Sequence, residues 1–153
     1  MRVDIAPAAS ADIPALAEIE KLCPHAAGWG EKGLQGELAK KNALVLGASV
    51  EGRAAGFICA EFIAPESQIL NIAVHPGTAR KGIATALFAA FAAEAAKRGC
   101  NLAALEVNER NLPAIRFYEK LGFKIVGRRA KFYNGSQDAL LMDLALASAK
   151  GAL

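Results

Sequence analysis

The amino-acid sequence predicts a mixed α/β fold in which helices flank one central β-sheet. Short apolar or alternating segments that end at turn residues indicate strands, and longer segments with helical periodicity indicate helices. One apolar segment precedes a long helix and a second strand, which is the unit that joins parallel strands. The chain has 153 residues, of which 22% are charged, so it is long enough for a core and unlike a disordered protein. We therefore expect residues 1–153 to form a single domain.

The first 41 residues predict one strand and two helices. Arg2 to Ala6 alternates between polar and apolar residues like a short strand. Ser10 is in position to cap a helix whose apolar stripe is interrupted only by Glu20. The segment Pro24 to Gly36 contains four glycines, which predict a mobile connection that leads into a short helix ending near Lys41.

Three strands and a long helix are predicted in the middle of the chain. A tight turn at Glu51-Gly52 separates the first two strands, and His75-Pro-Gly77 ends the third. The helix extends from about Arg80 to Arg98, where Gly99 provides a C-cap. The predicted strands are Ala43 to Ser49, Arg53 to Phe62 and Gln68 to Val74.

The last third of the chain predicts a strand, a helix and a hairpin. Leu102 to Asn108 is the strand, and Asn111 caps the helix that follows. Tyr133-Asn-Gly-Ser136 is a hairpin signal between strands at Phe123 to Lys131 and Gln137 to Ala145. The predicted order of elements is therefore β-α-α-β-β-β-α-β-α-β-β.

Composition and charge argue against several classes of function. A net charge of +3 without a dense basic cluster does not favour nucleic-acid binding. No apolar run is long enough to cross a bilayer and nothing resembles a signal peptide, so we expect a cytoplasmic protein without a membrane partner. The three cysteines lack C-x-x-C spacing, which favours free thiols, and the two histidines are not clustered, so no metal site is predicted. The sequence leaves the oligomeric state open.

The segment from Ile72 to Thr85 combines a strand, a short loop and a helix start, which is typical of a phosphate site. Free N–H groups and the helix dipole attract phosphate at a helix start, and a glycine such as Gly82 lets it approach closely. Arg80 and Lys81 add positive charge. The segment is neither a Walker A loop nor a dinucleotide fingerprint, and taken alone it is equally consistent with an ordinary turn.

A wider set of motifs resembles the GCN5-related N-acetyltransferase (GNAT) superfamily. The motifs are Asn71-Ile-Ala-Val74, Arg80-Lys-Gly-Ile-Ala84, Leu105-Glu-Val107, Asn111 and Pro113-Ala-Ile-Arg-Phe-Tyr-Glu-Lys-Leu-Gly-Phe123. Within the superfamily the chain looks most like the bacterial enzymes that acetylate the N-terminal alanine of ribosomal proteins. The resemblance implies a mixed central sheet, splayed in the middle and flanked by helices. It also implies an N-acetyltransferase that moves acetyl from acetyl-coenzyme A to a primary amine by direct attack.

The resemblance further implies where acetyl-coenzyme A binds. The residues expected beside its pantetheine arm and thioester are Ile72, Ala73, Val74, Asn111 and Tyr118. The residues whose amides are expected to hold its pyrophosphate are Arg80, Lys81, Gly82, Ile83, Ala84 and Thr85. The Val74 N–H is the expected oxyanion donor. Ala79 stands where the family usually has Gln or Arg, and we expect this change to weaken affinity at most, because the cradle works through main-chain N–H groups.

Two residues are candidates for proton transfer. Attack by an amine needs a base for the ammonium group and an acid for the leaving thiolate, with no covalent enzyme intermediate. Glu106 matches the glutamate of the family and is the predicted base, although spacing alone favours a solvated strand residue. Tyr118 matches the family's proton-donating tyrosine, although aromatic residues at helical spacing usually pack in a core.

The acceptor is predicted to bind in the rest of the cleft, at Trp29 and Tyr133. Trp29 lies in a segment similar to one in the ribosomal-protein enzymes, but His25-Ala-Ala-Gly28 before it lacks the Phe-Pro character found there. Tyr133 either matches a tyrosine that lies beside the acceptor or merely flanks the hairpin turn. The expected partner is the N-terminus of a protein, such as a ribosomal protein, with a small-molecule amine as the alternative. An idle acyl-coenzyme A-binding module is the third interpretation.

Overall fold

The computed structural model describes residues 2–79, 81–133 and 137–147, with the backbone alone for residues 131–133. Within these ranges it contains four α-helices and seven strands. The helices are α1 (Ile13–Lys21), α2 (Gly30–Leu38), α3 (Ile83–Lys97) and α4 (Leu112–Leu121). The strands are β1 (Val3–Pro7), β2 (Ala43–Val50), β3 (Arg53–Ile63), β4 (Glu66–Val74), β5 (Leu102–Asn108), β6 (Lys124–Tyr133) and β7 (Gln137–Ala145). The predicted order of elements is confirmed.

One mixed sheet contains all of these strands, in the order β1-β2-β3-β4-β5-β7-β6. Neighbouring strands are antiparallel except for β4 and β5, which are parallel and are connected by α3. Strand β7 is inserted between β5 and β6, so the C-terminal hairpin joins the sheet through its second strand. The predicted mixed α/β sheet is confirmed, and its parallel pair lies near the centre.

The parallel pair β4–β5 opens along its length. Paired residues extend only from Glu66 opposite Leu102 to Ile69 opposite Leu105. Strand β4 continues to Val74 and β5 continues to residue 108 without further pairing between them. The carboxyl halves of the two strands therefore separate and leave a gap in the middle of the sheet, as the family resemblance implies.

A bulge at Leu70 interrupts the ladder between β3 and β4. Cys59 on β3 is opposite Asn71, whereas the next residue, Ala60, is opposite Ile69, so Leu70 is an extra residue in this ladder. A bulge of this kind bends the strand and increases its local twist. The bulge at Leu70 directly follows Ile69, the last residue of β4 that pairs with β5.

Apolar side chains fill both faces of the sheet. Under α3 and α4 the buried residues include Ile58, Phe62, Leu87, Phe91, Leu105, Val107, Ile115, Tyr118, Phe123 and Met142. Under α1 and α2 they include Ile13, Leu16, Ile19, Leu34, Val45, Phe57, Cys59 and Ala73. Side chains alternate along each strand, so Phe57 and Ile58 belong to different layers. A ligand in the gap between β4 and β5 can consequently contact groups from both layers.

Two predictions about helix starts are wrong. The Ser10 hydroxyl does not cap α1 but bonds to Gln35, and a one-turn 3-10 helix, Ser10–Asp12, precedes α1. The third helix starts at Ile83 and not near residue 80, because Gly82 has a φ of +79°. A residue with this left-handed backbone conformation cannot be part of a right-handed α-helix, so the helix begins at the next residue.

Side chains of distant residues hold the connection between α1 and α2, for which the glycines predict mobility. Its backbone N–H groups at Ala27 and Trp29 donate to the side chains of Asn71 and Glu20. Helix α2 already begins at Gly30, within the segment predicted as a connection. These hydrogen bonds join residues far apart in sequence, so the glycines of the segment do not indicate them.

None of the helices in the described part of the chain is both long and apolar enough to span a membrane. The described residues also bring together no group of three or more His, Cys, Asp or Glu side chains that could hold a metal ion. Cys23, Cys59 and Cys100 are free thiols, and the last two are buried.

Candidate active site

A cleft of about 1090 Å³ occupies the gap between β4 and β5. Its volume is close to the upper end of the range for small-molecule sites. Its walls come from the open halves of both strands, the first turn of α3, one side of α4 and the connection between α1 and α2. The predicted site residues that line it are Trp29, Ile72, Ala73, Val74, Gly82, Ile83, Ala84, Thr85, Glu106, Asn111 and Tyr118. Residues from separate sequence motifs thus meet in one cavity.

Three predicted site residues are not found in this cleft. Lys81 lines a separate depression of about 520 Å³ together with Arg53 and His75. Arg80 lies outside the described residues. Tyr133 is the last residue of β6, and its side chain lies outside the described part of the chain. Among predicted residues whose side chains are described, Lys81 alone is outside the cleft.

The open half of β4 directs N–H groups to the cleft that do not pair with another strand in the described part of the chain. On the β3 side, the His75 N–H donates to the Ala55 carbonyl at 2.8 Å. Because peptide groups alternate in direction along a strand, those of Ala73 also face β3, whereas those of Ile72 and Val74 face the cleft. Strand β5 does not pair with β4 at these positions. Of the three backbone positions expected to pair with pantetheine, Ala73 is therefore directed away from the cleft.

The first turn of α3 is suited to bind an anion. Gly82 is the N-cap, and no side chain caps the N–H groups of Ile83, Ala84 and Thr85 within the described residues. Uncapped N–H groups at the positive end of a 15-residue helix attract phosphate. Glycine suits position 82 because its φ is positive. Ala79, which replaces the Gln or Arg expected from the family, also lines the cleft.

Tyr118 reaches the cleft from α4 and is only 5% exposed. Its ring contacts those of Phe117 and Phe123, with centroids 5.4 Å and 5.5 Å away. Burial raises the pKa of the phenol, so the hydroxyl keeps its proton at neutral and moderately alkaline pH. Tyr118 therefore combines the packing expected of an aromatic residue at helical spacing with a neutral phenol in the wall of the cleft.

Glu106 lies on the opposite face of the sheet from Tyr118. Its neighbours Leu105 and Val107 belong to the core under α3 and α4, and side chains alternate along a strand. The Glu106 Oε1 lies 2.8 Å from the Nη2 of Arg129 on β6, an ion pair that the sequence analysis missed. The gap in the sheet thus brings a carboxylate from one layer and a phenol from the other to the same cavity.

Asn111 and Asn108 shape the corner between β5 and α4, and both line the cleft. The Asn111 Oδ1 accepts from the Ala114 N–H at 3.3 Å, which confirms the predicted N-cap. This cap does not use the side-chain NH₂ of Asn111, which can donate to a ligand. Asn108 donates to the Gln137 side chain at 2.6 Å and accepts from the Arg110 N–H at 2.9 Å, so the corner is held rigidly.

Two buried polar residues beside the cleft were not predicted as site residues. Glu20 and Asn71 are each 4% exposed, and the Asn71 amide donates to the Glu20 carboxylate at 2.7 Å. They hold the connection that carries Trp29. In the sequence, Glu20 is a carboxylate within the apolar stripe of a helix, and Asn71 is an amide within an apolar strand. Neither signal identifies a partner 51 residues away.

The chain belongs to the acetyltransferase (GNAT) family, whose family model matches residues 13–123. The matched segment extends from the first residue of α1 to two residues beyond α4, and it includes both proposed proton-transfer residues. The protein is therefore a GNAT-type N-acetyltransferase, as the resemblance of its motifs predicted.

Similar proteins cover nearly the whole chain. The [ribosomal protein bS18]-alanine N-acetyltransferase of Salmonella typhimurium is 34% identical over 136 residues, which are 87% of this chain and 90% of that one. Streptothricin acetyltransferase of Streptomyces lavendulae is 33% identical over 128 residues, 82% of this chain and 67% of that one. The crystal structure of the ribosomal-protein-S18-alanine N-acetyltransferase from Escherichia coli superimposes with a TM-score of 0.86 at 30% identity and covers 99% of both chains.

Proposed function

We propose that this enzyme transfers acetyl from acetyl-coenzyme A to the N-terminal α-amine of a protein in the cytoplasm. The observation that carries the proposal is that Glu106 and Tyr118 line one cleft from opposite faces of the sheet. A base on one side and an acid on the other is what direct transfer from a thioester to an amine needs. Similarity to two alanine N-acetyltransferases of ribosomal protein S18 supports a protein N-terminus, and a ribosomal protein in particular, as the acceptor.

The α3 side of the cleft supports acetyl-coenzyme A as the donor. The uncapped N–H groups of the first turn of α3 bind its pyrophosphate, and the peptide groups of Ile72 pair with its pantetheine arm. This arrangement directs the thioester into the gap between β4 and β5. The Val74 N–H then donates to the acetyl oxygen as negative charge develops there.

Glu106 removes the proton of the acceptor ammonium group, directly or through a water molecule. The pKa of an α-amino group is about 7.7–8.0 against about 10.4 for lysine, so deprotonating the α-amine costs about 3 kcal/mol less. The ion pair with Arg129 holds the carboxylate in position. As the new N–C bond forms and the C–S bond breaks, Tyr118 donates its proton to the leaving sulfur.

A small-molecule amine is the second candidate acceptor. It is supported by the 33% identity to streptothricin acetyltransferase and by the absence of Phe-Pro character in His25-Ala-Ala-Gly28. However, Leu22, Pro24, Ala26 and Ala27 make this part of the cleft wall largely apolar, with the polar side chains of Cys23 and His25 between them. An apolar wall suits a short, uncharged first side chain of a peptide better.

A mixed acceptor assay tests the proposal. The purified enzyme is incubated with acetyl-coenzyme A and peptides with free α-amines, N-blocked lysine peptides, polyamines and streptothricin, and the products are identified by mass spectrometry. We expect acetyl groups only on peptide α-amines, and the preferred first residue then indicates the natural targets. Acetylation of small amines alone would establish the second candidate, and coenzyme A binding without any transfer would indicate an idle module.

A further inference from the structure

Glu20 is a buried carboxylate that the proposed proton transfers do not use. It lies on α1, is 4% exposed and does not line the cleft. Its Oε1 accepts from the Gly30 N–H at 2.8 Å, and its Oε2 accepts from the Trp29 N–H at 2.9 Å. Burial of a carboxylate is costly without such donors, and hydrogen bonds to a charged acceptor are among the stronger ones. Glu20 therefore fixes the backbone at the end of the connection and at the start of α2.

Asn71 joins this carboxylate to the central strand β4. Its Nδ2 donates to the Glu20 Oε2 at 2.7 Å, and its Oδ1 accepts from the Ala27 N–H at 3.1 Å. One amide side chain thus binds α1 and the connection at the same time. Asn71 directly precedes Ile72, the first residue of β4 whose peptide groups face the cleft beyond the bulge.

A second contact ties the connection to β4 three residues further along. The Cys23 Sγ donates to the Val74 carbonyl at 3.3 Å. Burial raises the pKa of the Cys23 thiol, so it remains a neutral donor. The connection that carries Trp29 is consequently attached on both sides of Ile72, on the stretch of β4 that lines the cleft.

We propose that Glu20 and Asn71 are positioning residues that set the acceptor wall of the cleft relative to the strand that binds the donor. The proposal deepens the proposed function and rests on it. Glu20 reaches the cleft through the backbone of Trp29 and through Asn71, so it acts on the acceptor through these residues. A misplacement of reacting groups by about 1 Å can lower a rate by about 10²-fold, so this attachment matters for transfer.

Three variants and a control separate positioning from general stability. Glu20→Gln keeps the shape of the side chain but turns one acceptor oxygen into an NH₂ group. Asn71→Asp replaces the amide that donates to Glu20 at 2.7 Å with a second carboxylate, so that two like charges repel each other at this contact. In the double variant, the amide of Gln at position 20 can donate to the carboxylate of Asp at position 71, which is the reverse of the wild-type contact. Glu18→Gln is the matched control, because Glu18 is on the same helix with its side chain 72% exposed.

We expect each single variant to raise the acceptor KM about tenfold or more, because a hydrogen bond to a buried charge is lost. The Kd for coenzyme A, measured by calorimetry, stays within about twofold of wild type, because α3 is not touched. The double variant recovers part of the KM change, and Glu18→Gln changes neither value. Hydrogen–deuterium exchange becomes faster at residues 23–30 in the single variants, while α3 keeps its protection.

Unchanged acceptor KM and unchanged exchange at residues 23–30 in both single variants would overturn the proposal. A KM change accompanied by loss of protection in α3 would also overturn it, since that result indicates general loss of structure. The exchange measurement needs no acceptor, so it separates this proposal from the proposed function. If the wild-type enzyme acetylates no amine, unchanged exchange still overturns the role of Glu20 and Asn71, and faster local exchange still supports it.

Discussion

Burial keeps Tyr118 protonated, as its proposed role as an acid requires. The ring is enclosed by Phe117 and Phe123, and the raised pKa of the phenol keeps it neutral above the pH at which an exposed phenol ionises, about 10. The same low-polarity surroundings disfavour a free thiolate, which in the proposed mechanism favours transfer of the proton to sulfur as the C–S bond breaks. Burial of the ring and donation by the hydroxyl are therefore separable in a phenylalanine variant.

Tyr118→Phe should lower kcat by about tenfold or more, which corresponds to about 1.4 kcal/mol of lost transition-state stabilisation. The ring contacts persist, so Tm and the KM for both substrates should stay close to wild type. Because its pKa is raised, the phenol is protonated throughout the ordinary assay range. Ionisation of Tyr118 should therefore cause no decrease in wild-type kcat at any pH up to about 10. Steady-state kinetics over pH and thermal melts check this; an unchanged kcat would remove Tyr118 from the chemistry.

Glu106→Gln should lower kcat/KM about tenfold or more near pH 7, where the acceptor amine is mostly protonated. Without the base, only the neutral fraction of the amine reacts, so the variant should recover as the pH rises through about 8. Glu119→Gln, at an exposed position on α4, is the control and should match wild type. A constant ratio of variant to wild-type rate across this range would argue against proton removal by Glu106.

At the scale of single elements, Gly56 determines how closely β3, β4 and α3 approach. A Cβ atom at this position would lie 2.7 Å from the Ala73 carbonyl oxygen and 3.4 Å from Ile83 Cγ2. The first distance is far inside van der Waals contact and involves backbone, which cannot move without shifting β4. Gly56 therefore keeps the start of α3 close to the strand that lines the cleft.

Gly56→Ala should destabilise the protein by about 1–3 kcal/mol and weaken coenzyme A binding, because β4 must shift away from β3. Gly36→Ala on α2 is the matched control, because its Cβ would meet no atom within 4 Å. In a helix interior this exchange should be neutral or stabilising by up to about 1 kcal/mol. Urea unfolding and calorimetry measure both effects, and equal stability of the two variants would contradict the close-approach role.

Local signals predicted the elements well, whereas contacts across the sheet were not predictable. The cap at Asn111 was predictable because a side-chain cap and the N–H group that it binds are only a few residues apart in sequence. No glycine or proline indicates the bulge at Leu70. The position of Lys81 outside the cleft depends on the conformation of the turn before α3. The Glu106–Arg129 ion pair depends on β7 being inserted between β5 and β6. The proposed roles of Glu106 and Tyr118 rest on the family resemblance, because spacing alone favours simpler interpretations.

At the scale of the whole molecule, a buried carboxyl group on α2 couples stability to pH. Lys40 Nζ lies 3.0 Å from both Glu37 and Glu61. Burial and the nearby Glu61 raise the pKa of Glu37, whereas the hydrogen bond with Glu37 lowers the pKa of Glu61. The folded state then binds the Glu37 proton more tightly than the unfolded state does. This contribution to stability is present below the unfolded pKa, about 4.3, and is lost as pH rises through the folded pKa.

Glu37→Gln should remove that loss, so the difference in Tm between variant and wild type should grow with pH above about 4.3. Glu31→Gln, at an exposed position on the same helix, should leave the pH profile unchanged. Thermal melts of the three proteins across this pH range check the prediction. A constant difference between Glu37→Gln and wild type would mean that Glu37 carries no extra proton in the folded state.

In the proposed mechanism, donor and acceptor meet through the gap between β4 and β5 in the sheet. We propose α3, α4 and the N–H groups of β4 as the donor side, and α1, α2 and the connection that carries Trp29 as the acceptor side. A ligand that spans both sides should therefore gain from both sets of contacts at once.

Binding of a bisubstrate conjugate tests this arrangement most directly. In the conjugate, the sulfur of coenzyme A is linked through an acetyl bridge to the α-amine of the best acceptor peptide, and calorimetry compares it with coenzyme A and with the peptide. We expect the conjugate to bind about 10²-fold more tightly than either part, with Gly82→Ala and Glu20→Gln each weakening it. Binding no tighter than that of coenzyme A alone would contradict transfer across the sheet, because the peptide would then make no contacts in the cleft.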